Sequence, residues 1–127
     1  MPLLARGDVV PFWSKPPRPR SGALTELVIQ DHTLGTAAIN IAEVYAGVRP
    51  GEEAGTEAFL AQLVCFSMTN ETGRIAGSLK NRFARQGTTL QLPDMIVTAT
   101  ALEHGVTLMT DNREDFPVPE LALYPLP

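Results

Sequence analysis

Leu92-Pro93-Asp94 opens an apolar helix, and Thr107-Leu108-Met109-Thr110 runs as a short apolar strand into Asp111-Asn112-Arg113-Glu114-Asp115-Phe116. That order places one carboxylate at a helix start and a carboxylate cluster just past a strand end. In α/β proteins, ligands and metals gather at the C-terminal ends of strands, so the pattern can bring Asp94 and Asp115 to one cation. Each acid also has a plain structural explanation. Asp94 in a first helical turn gains roughly 0.3–1 kcal/mol from the macrodipole. Yet Met95, Ile96, Val97, Ala99, Ala101 and Leu102 leave that helix apolar nearly all round. A carboxylate at its core-facing start needs a partner such as a metal or an arginine. Asp111, Glu114 and Asp115 suit a solvated loop, and Asp111-Asn112 suits a turn. Asp115 is the inward candidate, because Phe116 can anchor the loop. Thr110 ends the strand, where a hydroxyl can orient a water or a phosphate. Such polar groups around acids suit magnesium, which keeps several waters and takes one or two carboxylates directly.

Glu43 lies one turn into a helix that follows the strand candidate Thr36 to Ile39. Asn40 to Glu43 has capping-box spacing, with Asn in place of the usual Ser or Thr. The alternative sends Glu43 into the cleft of the C-terminal acids. Four of the ten Lys and Arg fall between positions 74 and 85. Arg74, Ser78, Asn81 and Arg85 share one helical stripe opposite an apolar face, with Lys80 and Arg82 nearby. It reads either as a solvated face or as phosphate contacts along a nucleic acid, which Lys15, Arg18 and Arg20 can extend. His32 and His104 have no metal-ligand spacing, and no Gly-rich phosphate loop, nucleophile elbow or zinc motif occurs.

The elements that must position these residues follow from periodicity. Leu3-Leu4 begins a first strand, Pro16, Pro17 and Pro19 stiffen a basic loop, and Ala23 to Asp31 has helical spacing. Asn40 to Ala46 predicts a helix ended by Gly47, and Thr56 to Leu63 another. Val64 to Met68 predicts a buried strand, and its Cys65 a buried structural thiol. A longer helix, capped by Thr69 or Asn70, runs to about Gln86 with Ile75, Ala76, Leu79 and Phe83 on its apolar face. Pro93 suits the first turn of the next helix and Gly105 its end, before strands at Val106 to Thr110 and Leu121 to Tyr124. Helices alternating with short apolar strands predict a parallel sheet covered on both faces. The 127 residues fit one domain, and 44% hydrophobic with 19% charged residues suits an ordered globular chain. A net charge of −4 shows no global basic signature. The absence of a long apolar run or a signal-peptide pattern predicts a cytoplasmic protein with no membrane contact.

Taken together, Ala38-Ile39-Asn40-Ile41-Ala42-Glu43-Val44-Tyr45-Ala46-Gly47, Leu92-Pro93-Asp94 with Ala99-Thr100-Ala101, and Leu108-Met109-Thr110-Asp111-Asn112 through Asp115-Phe116 resemble the PIN-domain family. The likeness is to its VapC-like ribonuclease toxins of type II toxin–antitoxin pairs, over about residues 36 to 117. It implies one α/β domain spanning residues 1–127, a three-layer α/β/α fold with a central, mainly parallel sheet. It also implies a Mg2+- or Mn2+-dependent RNA-cleaving site. Residue by residue, Glu43, Asp94 and Asp115 match three of the family's four acids, and Thr110 and Asn112 match its accessory polar positions. The resemblance further implies a metal held by Asp94 and Asp8, an RNA substrate contacted by Arg74, Lys80, Arg82 and Arg85, a small antitoxin partner, and a homodimer.

The fourth acid departs from the family pattern, which usually ends the first strand with an Asp-Thr-Ser/Asn/Asp triplet. Here Leu3-Leu4-Ala5-Arg6-Gly7-Asp8-Val9-Val10 aligns Arg6 with the first, metal-facing position and Asp8 with the third. Either Asp8 enters the site, with Gly7 letting the backbone adjust, or Arg6 stands among the acids and neutralises them without metal. The second case is a degenerate nuclease that binds antitoxin or RNA without cleaving. Two other acidic α/β classes fit less well. A phosphoacceptor receiver wants a late Lys, and none follows Lys80; a haloacid-dehalogenase-like phosphatase wants Asp-x-Asp where Arg6-Gly7-Asp8 stands. An Arg6→Asp variant separates the two arrangements. If Arg6 blocks the site, Mn2+ affinity measured by calorimetry rises about tenfold or more; if Asp8 already occupies it, affinity changes little.

Overall fold

In the computed structural model of the chain, short strands alternate with helices around a four-stranded sheet. The structure describes residues 3–5, 34–110 and 112–123. In order these form β1 (Leu3–Ala5), β2 (Leu34–Ala37), α1 (Ala38–Ala46), α2 (Glu53–Leu60), β3 (Val64–Phe66), α3 (Asn70–Ala84), α4 (Leu92–His104), β4 (Thr107–Met109) and a 3-10 turn, Arg113–Asp115. The basic proline loop, the helix expected over 23–31, and Arg6, Asp8, Asp111 and Tyr124 lie outside the described residues.

The sheet order is β3-β2-β1-β4. β2 pairs with β3 in parallel, and Leu108 of β4 bridges Leu123 in parallel. β1 is antiparallel to both neighbours, with Ala5 opposite Leu34 and Thr107. Three of the four strands therefore share one direction, and β1 runs against them. The sequence did not reveal this, because a connection as long as 6–33 can serve either a crossover or a return.

α4 is the centre of the packing. All residues from Met95 to Ala101 are buried, so no face of this stretch meets solvent. Its two buried threonines spend their hydroxyls inside the helix: Thr98 Oγ1 donates to the Asp94 carbonyl at 3.0 Å, and Thr100 Oγ1 to that of Ile96 at 2.8 Å. Such back-bonding removes the cost of burying a free hydroxyl. Pro93 sits in the first turn, and Gly105 closes the helix in the left-handed region at φ 60°, a conformation costly for residues with a Cβ.

α3 lies against α4 as the other half of a helical hairpin, with Ala76, Leu79 and Phe83 buried. Its start is closed by Thr69 and Thr72, which form a reciprocal capping box. Thr72 Oγ1 also donates to Glu103 near the end of α4. At the opposite end, Lys80 Nζ donates to the Leu90 carbonyl at 2.6 Å, just ahead of α4. The two helices are thus antiparallel, and the second half of α3 stands beside the start of α4. Leu108, Phe116, Val118 and Leu121 complete the core.

Three expectations are corrected. Helix α1 starts at Ala38 with Ala37 as its N-cap, so Asn40 is not a cap but the third residue inside the helix. The Thr56 to Leu63 helix instead spans Glu53–Leu60. Cys65 is exposed, as is Val64, because β3 is an edge strand and only Phe66 of its three residues turns to the core. Leu108 is fully buried where β4 meets both β1 and the Leu123 bridge. Leu108→Ala is expected to cost about 3 kcal/mol, measured by urea denaturation.

Candidate active site

Three of the sequence-selected acids come from three separate elements. Glu43 stands on the second turn of α1, just beyond β2, and its residue is exposed. Asp94 is half-buried in the first turn of α4. Asp115 closes the 3-10 turn beyond β4 and is exposed. Helix α1 packs against α4, and α4 against β4, which brings the three elements to one end of the fold. The electrostatics register this proximity. Burial raises the Asp94 pKa, and the negative charges of Asp115 and then Glu43 raise it further, to about 6.

Backbone turns position Asp115. Thr110, buried at the end of β4, accepts the Asn112 backbone N–H on its Oγ1 at 3.1 Å. The Asp115 N–H then donates to the Asn112 carbonyl at 3.0 Å, and Phe116 N–H to the Arg113 carbonyl at 3.1 Å. Phe116 is buried, which pins the loop to the core as the sequence suggested. Thr110 thus shapes the loop that carries the acid, a role for its hydroxyl distinct from orienting a phosphate.

Glu43 has a partner that the sequence reading assigned elsewhere. Asn40, only 1% exposed, donates from Nδ2 to Glu43 Oε1 at 3.1 Å. Its Oδ1 is buried and has no hydrogen-bond partner. The signal for this pair was its i,i+3 spacing, which fits two residues inside one helix as well as a capping box.

The donor groups are all oxygens, which suits a hard cation such as Mg2+ or Mn2+. Among the described residues, no three His, Cys, Asp or Glu side chains close around one point as a complete metal cage. Asp94, whose pKa is raised by burial and then by the charges of Asp115 and Glu43, is the residue such a cation would relieve.

The basic residues divide between the two ends of α3. Arg74 pairs with Glu71 on the first turns, and Arg82 Nη1 reaches Glu120 Oε2 at 2.8 Å. Lys80 and Arg85 lie toward the end that adjoins the start of α4. Arg74 and Arg85 are eleven residues apart in sequence, or about 16 Å along a helix. The stripe is therefore continuous on the helix but only its C-terminal half stands near the acids.

The PIN domain family matches residues 12–118 of the chain. The chain belongs to the PIN-domain family. This PIN domain is 31% identical over 95 residues to Ribonuclease VapC19 of Mycobacterium tuberculosis, in strains CDC 1551 / Oshkosh and ATCC 25618 / H37Rv alike. The match covers 75% of the chain and 76% of the relative. Its fold is similar to the crystal structure of VapBC2 from Rickettsia felis bound to a DNA fragment from their promoter. There the TM-score is 0.73 at 21% identity, over 85% of each chain. A toxin–antitoxin complex from Klebsiella pneumoniae matches with a TM-score of 0.60 at 25% identity, over 72% of this chain and 75% of that one. The expected α/β PIN fold is thereby established.

The raised Asp94 pKa has a consequence for stability. Between about pH 4, the unfolded value, and pH 6 the folded PIN domain keeps a proton that the unfolded chain releases. The metal-free protein is therefore expected to gain stability as pH falls from 7 to 5. Allowing for solvent screening at this half-exposed group, the gain is about 1 kcal/mol. Asp94→Asn should be more stable than wild type at pH 7 by a similar amount and lose this pH dependence, as read by thermal melts in chelator.

Proposed function

We propose that this PIN domain is a divalent-metal-dependent endoribonuclease, the toxin of a type II toxin–antitoxin pair that acts in the cytoplasm. The observation that carries the reading is the convergence of Asp94, Asp115 and Glu43 from three elements, close enough that two of them raise the pKa of the third. The ribonuclease name of the 31% identical relative supports the reaction class. The VapBC2 and toxin–antitoxin structures support an antitoxin partner, and homodimerisation is proposed from the family resemblance alone. Among the described residues no helix is long and apolar enough to cross a membrane.

In this reading Asp94 holds the cation, Mg2+ or Mn2+, with Asp8 as the second carboxylate. A cation held there would supply charge stabilisation at the phosphate under attack and would lower the pKa of a nearby water. Glu43 and Asp115 would orient that water and accept its proton. The Thr110–Asn112 turn holds Asp115 in place. Lys80 and Arg85 bind phosphates near the cleft, while Arg82 and Arg74 extend the contact along α3. Their ion pairs with Glu120 and Glu71 are exposed and screened by solvent, so a phosphate can displace them. Such contacts position RNA without reading its sequence.

The direction of β1 favours a second reading. The exit of β1 at Ala5 pairs with the first residues of β2 and β4, whereas Glu43 and Asp115 follow their last residues. Ala5 therefore lies at the opposite end of the sheet from the strand ends that precede these acids, which supports a site without a fourth acid, the degenerate nuclease. Cleavage of an RNA panel with added Mg2+ or Mn2+ decides between them. An active enzyme cleaves only with metal, and Asp94→Asn lowers the rate about 100-fold or more. Equal, metal-independent behaviour of wild type and variant would sink the nuclease assignment.

A further inference from the structure

Asn40 is the one buried side chain among the described residues whose polar atom is left without a partner. An amide oxygen sealed from solvent and unpaired costs about 1–3 kcal/mol, and an apolar residue at this position would avoid the loss. The third position of α1 has no need of an amide for helix formation, since the cap is Ala37 and no side chain caps the helix. The amide does have a target. Its Nδ2 reaches Glu43 Oε1 at 3.1 Å, and this bond fixes which amide atom is nitrogen, because an ionised carboxylate only accepts. Oδ1 then faces away from the bond on the same planar group, one amide's width from the Glu43 carboxylate.

We propose that Asn40 is a positioning residue of the acidic site: its NH2 fixes the Glu43 carboxylate, and its unpartnered, buried Oδ1 is what the fold tolerates to place that donor. The proposal rests on the nuclease reading above and adds a residue to it. Glu43 is exposed, so its long side chain loses about 1.5–2 kcal/mol of rotamer entropy when fixed. The buried amide restrains one carboxylate oxygen and leaves the other free to face the cleft. Groups that orient metal-site residues in this way are worth about 10–100-fold in metal affinity or activity.

A double-mutant cycle on the full chain tests it, with Mn2+ affinity by calorimetry and single-turnover RNA cleavage as readouts. Asn40→Leu, similar in volume and free of polar atoms, is expected to keep or raise Tm while weakening Mn2+ binding and cleavage about tenfold. In a Glu43→Gln background the same substitution should have almost no further effect, since Asn40 acts through Glu43. Asn40→Thr, which retains a hydroxyl, should recover part of the loss. If Asn40→Leu does not fold by circular dichroism, Asn40→Ala runs the same cycle. Wild-type values in a folded Asn40 variant, or losses that multiply in the double variant, overturn the proposal while leaving the nuclease reading intact. A wild-type chain that neither binds Mn2+ nor cleaves RNA overturns both.

Discussion

Met95 to Ala101 present no face to solvent, so α4 has to be enclosed by α1, α3, β4 and the C-terminal segment at once. That requirement decides where its first turn ends up. A helix surrounded by the core carries its N-terminus to the edge of the core, and Asp94 is delivered there half-buried. α1 and the turn after β4 are held against the same helix, and their acids arrive with them. The site is in this sense a by-product of enclosing one apolar helix.

The arrangement works against stability in order to gather charge. Asp94 loses hydration through burial and faces two other carboxylates, and both effects oppose its ionised form. The unpartnered Oδ1 of Asn40 adds a second local cost at the same end of the fold. Among the described residues, other buried polar groups are satisfied: Thr98 and Thr100 bond within α4, and Thr72 bonds Glu103 across the helical hairpin. Unrelieved polar strain is therefore concentrated where a cation and its waters would relieve it.

The hairpin of α3 and α4 organises the surface around that site. Antiparallel packing, closed by Thr72–Glu103 at one end and Lys80–Leu90 at the other, carries the second half of α3 to the acidic end. Lys80 and Arg85 thereby stand where a phosphate backbone entering the cleft would pass. The opposing direction of β1 sets its exit at the opposite end of the sheet from the strand ends that precede the acids.

The sequence by itself determined the local features. The 3.6-residue spacing of Ala76, Leu79 and Phe83, the Thr69 cap, Pro93 and Gly105 each act within a few residues, and all appear as expected. The order of Glu43, Asp94 and Asp115 in their contexts identified the family for the same reason, because each motif is short-range. Exact element ends were less legible: nothing local forbade α1 from starting at Ala38, and this shift moved Asn40 from a cap into the helix interior. Exposure of Cys65 was also hidden, because an apolar run does not say whether its strand lies at an edge. Only tertiary structure decided the direction of β1, the burial of Asn40, and the mutual approach of the acids. These depend on contacts between residues far apart in the chain, and periodicity carries no term for them.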